Sequence, residues 1–210
     1  MNRTYWASLS AVAAALVFAT VATVASATGD DSPAAPRTPV ATSADAGFAR
    51  DMSVHHQQAV EMSFIVRDRT QDEDVRRLAY DIANTQANQR GMLLGWLDLW
   101  KLSKSQPDQL PMAWMGMGTE PGADGALMPG MATNTELDQL RRADGKQAEI
   151  LYLQLMTEHH KGGIHMAQGC AEKCATKVER DLAQGMVDSQ RSEIDLMATM
   201  LTARGAKPRT

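Results

Sequence analysis

Aromatic residues make up only 5% of this 210-residue chain, so any interior must be filled by aliphatic side chains. A basic excess is also missing. Lys and Arg number 21 against 25 Asp and Glu, a formal charge of −4, which excludes the electrostatic footprint of a nucleic-acid partner. Strand signals are nearly absent: no stretch alternates apolar and polar residues for long, and β-branched residues do not cluster. Cysteine is confined to Cys170 and Cys174, spaced so that one turn of chain brings the sulfurs together. A local disulfide at a helix end is the reading, with a free metal-binding pair as the alternative. Methionine is the exception to this sparseness, with 14 residues.

One long apolar run exists, from Tyr5 to Val24, with Arg3 the only charge ahead of it. It closes on Ala25, Ser26 and Ala27, a small-x-small cleavage pattern, and acidic Asp30 and Asp31 follow. Residues 1–27 therefore read as a secretory signal peptide. If uncleaved they become a membrane anchor, since about 20 apolar residues span a bilayer. In both cases the rest of the chain faces an extracytoplasmic space. No cysteine follows the signal to carry a lipid. Residues 28–43, rich in Pro, Ala, Ser and Thr, read as a flexible linker.

Helical periodicity begins near residue 44 and predicts an all-α domain over 44–203. Long helices are expected over about 44–69, from Asp72 or Asp74 to about 102, over 146–169 and over 176–203. A short helix is expected over 135–142. Shifting the sequence by 104 residues places Met52 on Met156, His55 on His159, His56 on His160 and Met62 on Met166. The same register pairs Leu78 with Leu182, Ala79 with Ala183, Gln86 with Gln190 and Leu97 with Leu201. Two duplicated helical hairpins (44–102 and 134–203) follow. A hairpin cannot bury its apolar face alone, so the two should form a ferritin-like four-helix bundle. Residues 103–133, which hold most of the mature chain's Pro and Gly, would be a long Met-rich crossover.

All five histidines lie in the two repeated segments, DMSVHHQQAVEM from Asp51 to Met62 and LMTEHHKGGIHM from Leu155 to Met166. Phe48, Met52, His55, Ala59, Met62 and Val66 step by four and three, as do Tyr152, Met156, His159, Gly163, Met166 and Cys170. Each series is one helix stripe, the buried seam of a bundle. Two inward histidines and up to four methionines would then face a common volume, with His56 and His160 at its edge. Neutral imidazoles with thioethers suit a soft metal, and thioethers select Cu(I). A lone core Met is ordinarily filler and a lone core His ordinarily just hydrogen-bonded, but a doubled pair with no histidine elsewhere weighs against that. His165, on the opposite side of its helix with Glu61 as repeat partner, reads as a surface residue. Gln86 and Gln190 are candidate hydrogen-bond partners for the motif histidines, or plain interhelical contacts, and Trp96 and Trp100 read as bundle-core or bundle-end residues. In the crossover, Met112, Met115, Met117, Met128 and Met131 form a second candidate metal site, or else a loop folded over the bundle. No carboxylate cage for calcium or magnesium and no di-iron Glu-x-x-His set is evident. No general base, nucleophile or oxyanion arrangement is recognisable, so no turnover and no organic cofactor are expected.

The paired Met-x-x-His-His segments, with Met128 and Met131 leading through Glu136, Leu137 and Leu140 into the second, resemble the bacterial family catalogued as domain of unknown function 305. The likeness runs from about 44 to 203. It implies a ferritin-like bundle, export, and in some members copper binding linked to copper resistance. Carried over by position, it marks Met52, His55, His56, Met62, Met156, His159, His160 and Met166. Gly162 and Gly163 depart from what the motif would predict, since each weakens a helix by roughly 1 kcal/mol relative to Ala. The expectation is an exported copper-binding protein for sequestration, storage or transfer, partnered by a copper-exporting or copper-accepting protein, with the oligomeric state left open. A metal-dependent oxidoreductase and a metal-free structural module are the alternatives.

Overall fold

The computed structural model describes residues 38–118 and 120–209. The expected signal segment and the linker up to residue 37 lie outside them. Five α-helices follow in order: α1 (Ala44–Arg67), α2 (Glu73–Leu99), α3 (Asn134–Arg142), α4 (Gly145–Lys173) and α5 (Lys177–Ala203). No strand occurs among the described residues.

The helix starts are encoded locally. Ser43 caps α1 by accepting from the Ala46 amide, and Asp72 caps α2 by accepting from the Val75 amide. Thr133 and Glu136 form a reciprocal capping box at α3, satisfying two otherwise orphaned groups. Gly145, at φ 51°, opens α4 with its amide on the Arg69 carbonyl at 2.7 Å. One expected end is displaced. The sequence suggests a stop at Gly169, yet α4 runs on to Lys173. Gly169 is a notch: a Cβ there would stand 2.6 Å from the Met115 methyl.

The α1–α2 and α4–α5 hairpins pack chiefly through their first helices. Every residue of the two expected stripes is buried. Along α1 and α4 two apolar clusters succeed one another. Met62, Met156, Tyr152 and Ile82 belong to one, Met52, Met166, Phe48 and Cys170 to the other. His55 and His159 fall between them. Tyr152 and Ser63 share a hydrogen bond of 3.0 Å across the α1–α4 seam.

The crossover is laid onto this seam by polar clamps from α1. Arg50 donates to the Ser103 carbonyl and the Gln106 side chain at 2.8 and 2.7 Å. Asp51 accepts from the Met112 amide and the Trp114 indole at 2.7 and 2.9 Å. Gln58 pairs with the backbone of Ala132 in both directions, at 2.8 and 2.7 Å. Glycines provide the clearance. A Cβ on Gly47 would strike Trp114 at 2.4 Å, and one on Gly162 would strike the Pro129 carbonyl at 2.2 Å. The unexpected Gly162 is thus explained by close backbone approach.

Candidate metal centre

His55 and His159 meet at the crossing of α1 and α4, their rings 3.7 Å apart between centroids and tilted by 32°. Both are fully buried. So are His56 and His160, which corrects the expectation that these two sit at the edge of the seam. They turn toward the outer helix of their own hairpin. His56 Nε2 lies 2.8 Å from the Gln89 amide oxygen, and His160 Nε2 lies 2.6 Å from a Glu193 carboxylate oxygen. His159 Nε2 lies 3.0 Å from the His55 carbonyl.

Those contacts select a tautomer. A neutral imidazole has one donor and one acceptor nitrogen, and an oxygen at Nε2 takes the proton there. Nδ1 of His56 and His159 is left with its lone pair, and neither these atoms nor His160 Nδ1 has a hydrogen-bond partner. Both nitrogens of His55 are also without one. Leaving a buried polar atom unpaired costs about 1–3 kcal/mol, and such atoms are few in folded proteins. Five ring nitrogens in four neighbouring side chains is therefore a strong local signal.

Burial dominates the electrostatics. It holds the His55 imidazole well below its ordinary value, and His159, His56 and His160 nearby add repulsion. His159 is lowered well below as well, first by burial and then by His160 and His56, against a small opposing effect from the His55 carbonyl. His56 is lowered to about 3, again mainly by burial, with the Gln89 hydrogen bond opposing. These rings are neutral at physiological pH, the form that ligates metals.

Residues 45–201 match the profile of a protein family described as a domain of unknown function, DUF305. The chain belongs to the DUF305 family. A presumed secreted DUF305 protein from Streptomyces coelicolor, known from its crystal structure, is 67% identical. That similarity covers 81% of this chain and 99% of the other, with a TM-score of 0.76. A DUF305 fragment from Deinococcus radiodurans is 28% identical over 80% of this chain and 99% of its own, with a TM-score of 0.63. CopM in its Cu(I)-bound form shares the fold at 19% identity, covering 76% and 96%, with a TM-score of 0.55. CopM has also been solved in Cu(II)-bound and Ag-bound forms. Among the curated proteins none matches.

In this DUF305 chain the methionine sulfurs flank the histidine pair on two sides. Met52, Met62, Met156 and Met166 are all buried. Met52 and Met166 lie in the cluster on one side of the His pair, Met62 and Met156 in the cluster on the other. The antiparallel crossing of α1 and α4 imposes this split. The crossover methionines join the first of those clusters. Met112 and Met128 are buried in it, and Met115 and Met131 pack against it half-buried. Met117 alone of the five is well exposed, at 47%. The crossover is thus mostly a sulfur-rich roof over the seam and only marginally a free loop.

Gln86 and Gln190 are buried, yet each amide oxygen lacks a partner. The histidine partners are Gln89 and Glu193, three residues further along the same helices. They too stand 104 residues apart, but a search for identical residues passes over a Gln–Glu pair. Gln190 instead occupies the space a side chain at Gly163 would need, 2.5 Å from such a Cβ. His165 is exposed, as expected. Trp96 and Trp100 are half-buried and stacked at 6.4 Å, packed against the bundle end. Cys170 and Cys174 are joined in a disulfide, which removes them as thiolate ligands in this state. No helix among the described residues is long and apolar enough to cross a membrane.

Proposed function

We propose that this protein binds copper outside the cytoplasm as cargo, holding it for sequestration, storage or transfer rather than turning over a substrate. The observation that carries the reading is the set of unpartnered, buried imidazole nitrogens on His55, His56, His159 and His160. These side chains have the donor chemistry of a late transition metal, and the thioethers of Met52, Met62, Met156 and Met166 on either side favour its soft Cu(I) state. Thioethers need no deprotonation, so the site suits an oxidising, mildly acidic compartment. The copper- and silver-bound forms of CopM, a protein of similar fold, support the same reading. So does the presumed secretion of the Streptomyces coelicolor relative.

His55 and His159 are the inward donors. Gln89 and Glu193 orient His56 and His160 so that Nδ1 is the free nitrogen. The crossover keeps bulk water off the seam, and its exposed Met117 offers a first contact for an ion arriving from a copper-exporting protein or leaving for an accepting one. The test is competition between the purified protein and a Cu(I) chelator, with Ag(I) and Zn(II) run in parallel. Copper and silver should be withdrawn from the chelator and zinc scarcely at all. His55→Ala and His159→Ala should weaken that competition by at least tenfold, a floor set by the roughly 10–100-fold cost of losing even an outer-sphere partner. Unchanged competition in both variants would reject the assignment.

A further inference from the structure

At the far end of the α4 stripe, four residues beyond Met166, the Cys170–Cys174 disulfide meets the side chain of Glu179 from the first turn of α5. The two sulfurs and a Glu179 oxygen lie within 4.8 Å of one another. All three residues are buried, and no amide, hydroxyl or cationic group donates to either oxygen of Glu179, whose carboxyl faces the Asp45 carboxylate. We infer that reduction of this disulfide opens a second metal site, separate from the histidine seam, in which the Cys170 and Cys174 thiolates and the Glu179 carboxylate hold one thiophilic d10 cation.

The bridge is poorly suited to a purely structural role. It spans a single helical turn, and the stabilisation from a cross-link grows with the loop it closes. The turn it sits in is held by other means. Asp45, at the start of α1, accepts from the Ala175 and Thr176 amides at 3.0 and 2.7 Å. Arg180 donates to the Cys174 and Ala175 carbonyls at 2.8 and 2.6 Å, and the Cys174 amide donates to the Cys170 carbonyl at 2.9 Å. The donor groups should therefore stay in place when the S–S bond opens. Chemically, a dithiol reductant delivers two electrons. The S–S bond breaks, each sulfur takes up a proton, and the reductant closes to its own disulfide. An incoming cation then displaces the two thiol protons and the proton of the Glu179 carboxyl to solvent. Two thiolates and one carboxylate form an S2O set of the kind that suits zinc-like or cuprous ions.

The experiment compares oxidised protein with protein reduced by a dithiol and freed of it anaerobically, using Cd2+ as the probe. Alkylation and intact mass count the free thiols. Reduced protein should bind one more Cd2+ than oxidised protein and show a thiolate-to-cadmium ultraviolet band that histidine and methionine sites do not give. The band should vanish in a Cys170→Ser, Cys174→Ser double variant and survive in a His55→Ala, His159→Ala variant. Glu179→Gln should weaken the extra site by more than the roughly tenfold that loss of an outer-sphere partner costs. Equal cadmium stoichiometry before and after reduction overturns the inference. So does a band insensitive to Glu179→Gln, or a disulfide that the dithiol leaves closed in the folded protein.

Discussion

Each hydrogen-bonded imidazole of the seam is backed by an oxygen, and the chemistry of that oxygen differs between the two hairpins. Gln89 offers His56 a neutral amide, whereas Glu193 offers His160 a partly exposed carboxylate. Both can hold the Nε2 proton, but only the carboxylate also places a negative charge beside the ring. Glu193→Ala should therefore lower copper affinity by about 10–100-fold, and Glu193→Gln by much less, because Gln89 already performs that role at His56. Chelator competition on both variants checks this; equal losses would mean the charge, not the orientation, matters. A second consequence concerns acid. The folded-state values of His55, His56 and His159 lie below the ordinary 6.5. Above that pH the ring is neutral whether the chain is folded or not, and these residues add no pH dependence. Below it the unfolded chain takes up protons that the folded core refuses, so stability falls as pH falls, by up to roughly 1.4 kcal/mol per unit for each such histidine. For His56 the loss continues down to about pH 3. Urea midpoints of metal-free protein should drop between pH 7 and 5, and a His56→Gln variant should show a shallower drop. A flat profile would contradict the buried, neutral assignment.

Among the helices and their connections, glycine separates local propensity from packing. Gly91 on α2 and Gly185 on α5 are exposed, and a Cβ at either meets nothing within 4 Å. Replacing either with Ala should stabilise the protein by about 0.5–1 kcal/mol. Gly162→Ala gains the same propensity but would place its Cβ 2.2 Å from the Pro129 carbonyl. The crossover must lift, and a net loss of about 1–3 kcal/mol is expected from overpacking. Denaturant titration of the three variants gives the signs directly. The same contrast explains what could be read from the chain alone. Helix positions and the buried stripes were legible because a 3.6-residue period writes burial into the sequence, and caps such as Ser43, Asp72 and Thr133 mark the starts. The roof over the seam was not legible. Its anchors, Arg50, Asp51 and Gln58, reach partners 53 to 74 residues away, and nothing periodic links them. Gly169 reads as a helix stop for the same reason, since its neighbour Met115 arrives from outside the helix. Within the site, the histidines and methionines stood out by composition and spacing. The split of the sulfurs into two clusters needed the antiparallel crossing itself.

At the scale of the whole molecule, the seam joins the two hairpins, and the copper-binding reading predicts that an ion held there is coupled to global stability. Five unpartnered ring nitrogens lie where α1 crosses α4, so ligation should remove part of their burial cost only in the folded state. An ion that binds folded but not unfolded chain stabilises by about 2.7 kcal/mol when its free concentration is 100 times the dissociation constant. For a domain of this size each kcal/mol corresponds to about 2–4 °C, so saturating Ag(I) should raise the melting temperature by about 5–10 °C. Zn(II) at the same concentration should raise it far less, because thioethers contribute little to its binding. Removing the ion with a soft chelator should return the transition to its starting point. The disulfide must stay oxidised throughout, so that the seam alone responds. Calorimetry on wild type beside the His55→Ala, His159→Ala variant makes the comparison decisive. If silver shifts both proteins equally, the ion is acting elsewhere, and the seam is packing rather than a metal centre.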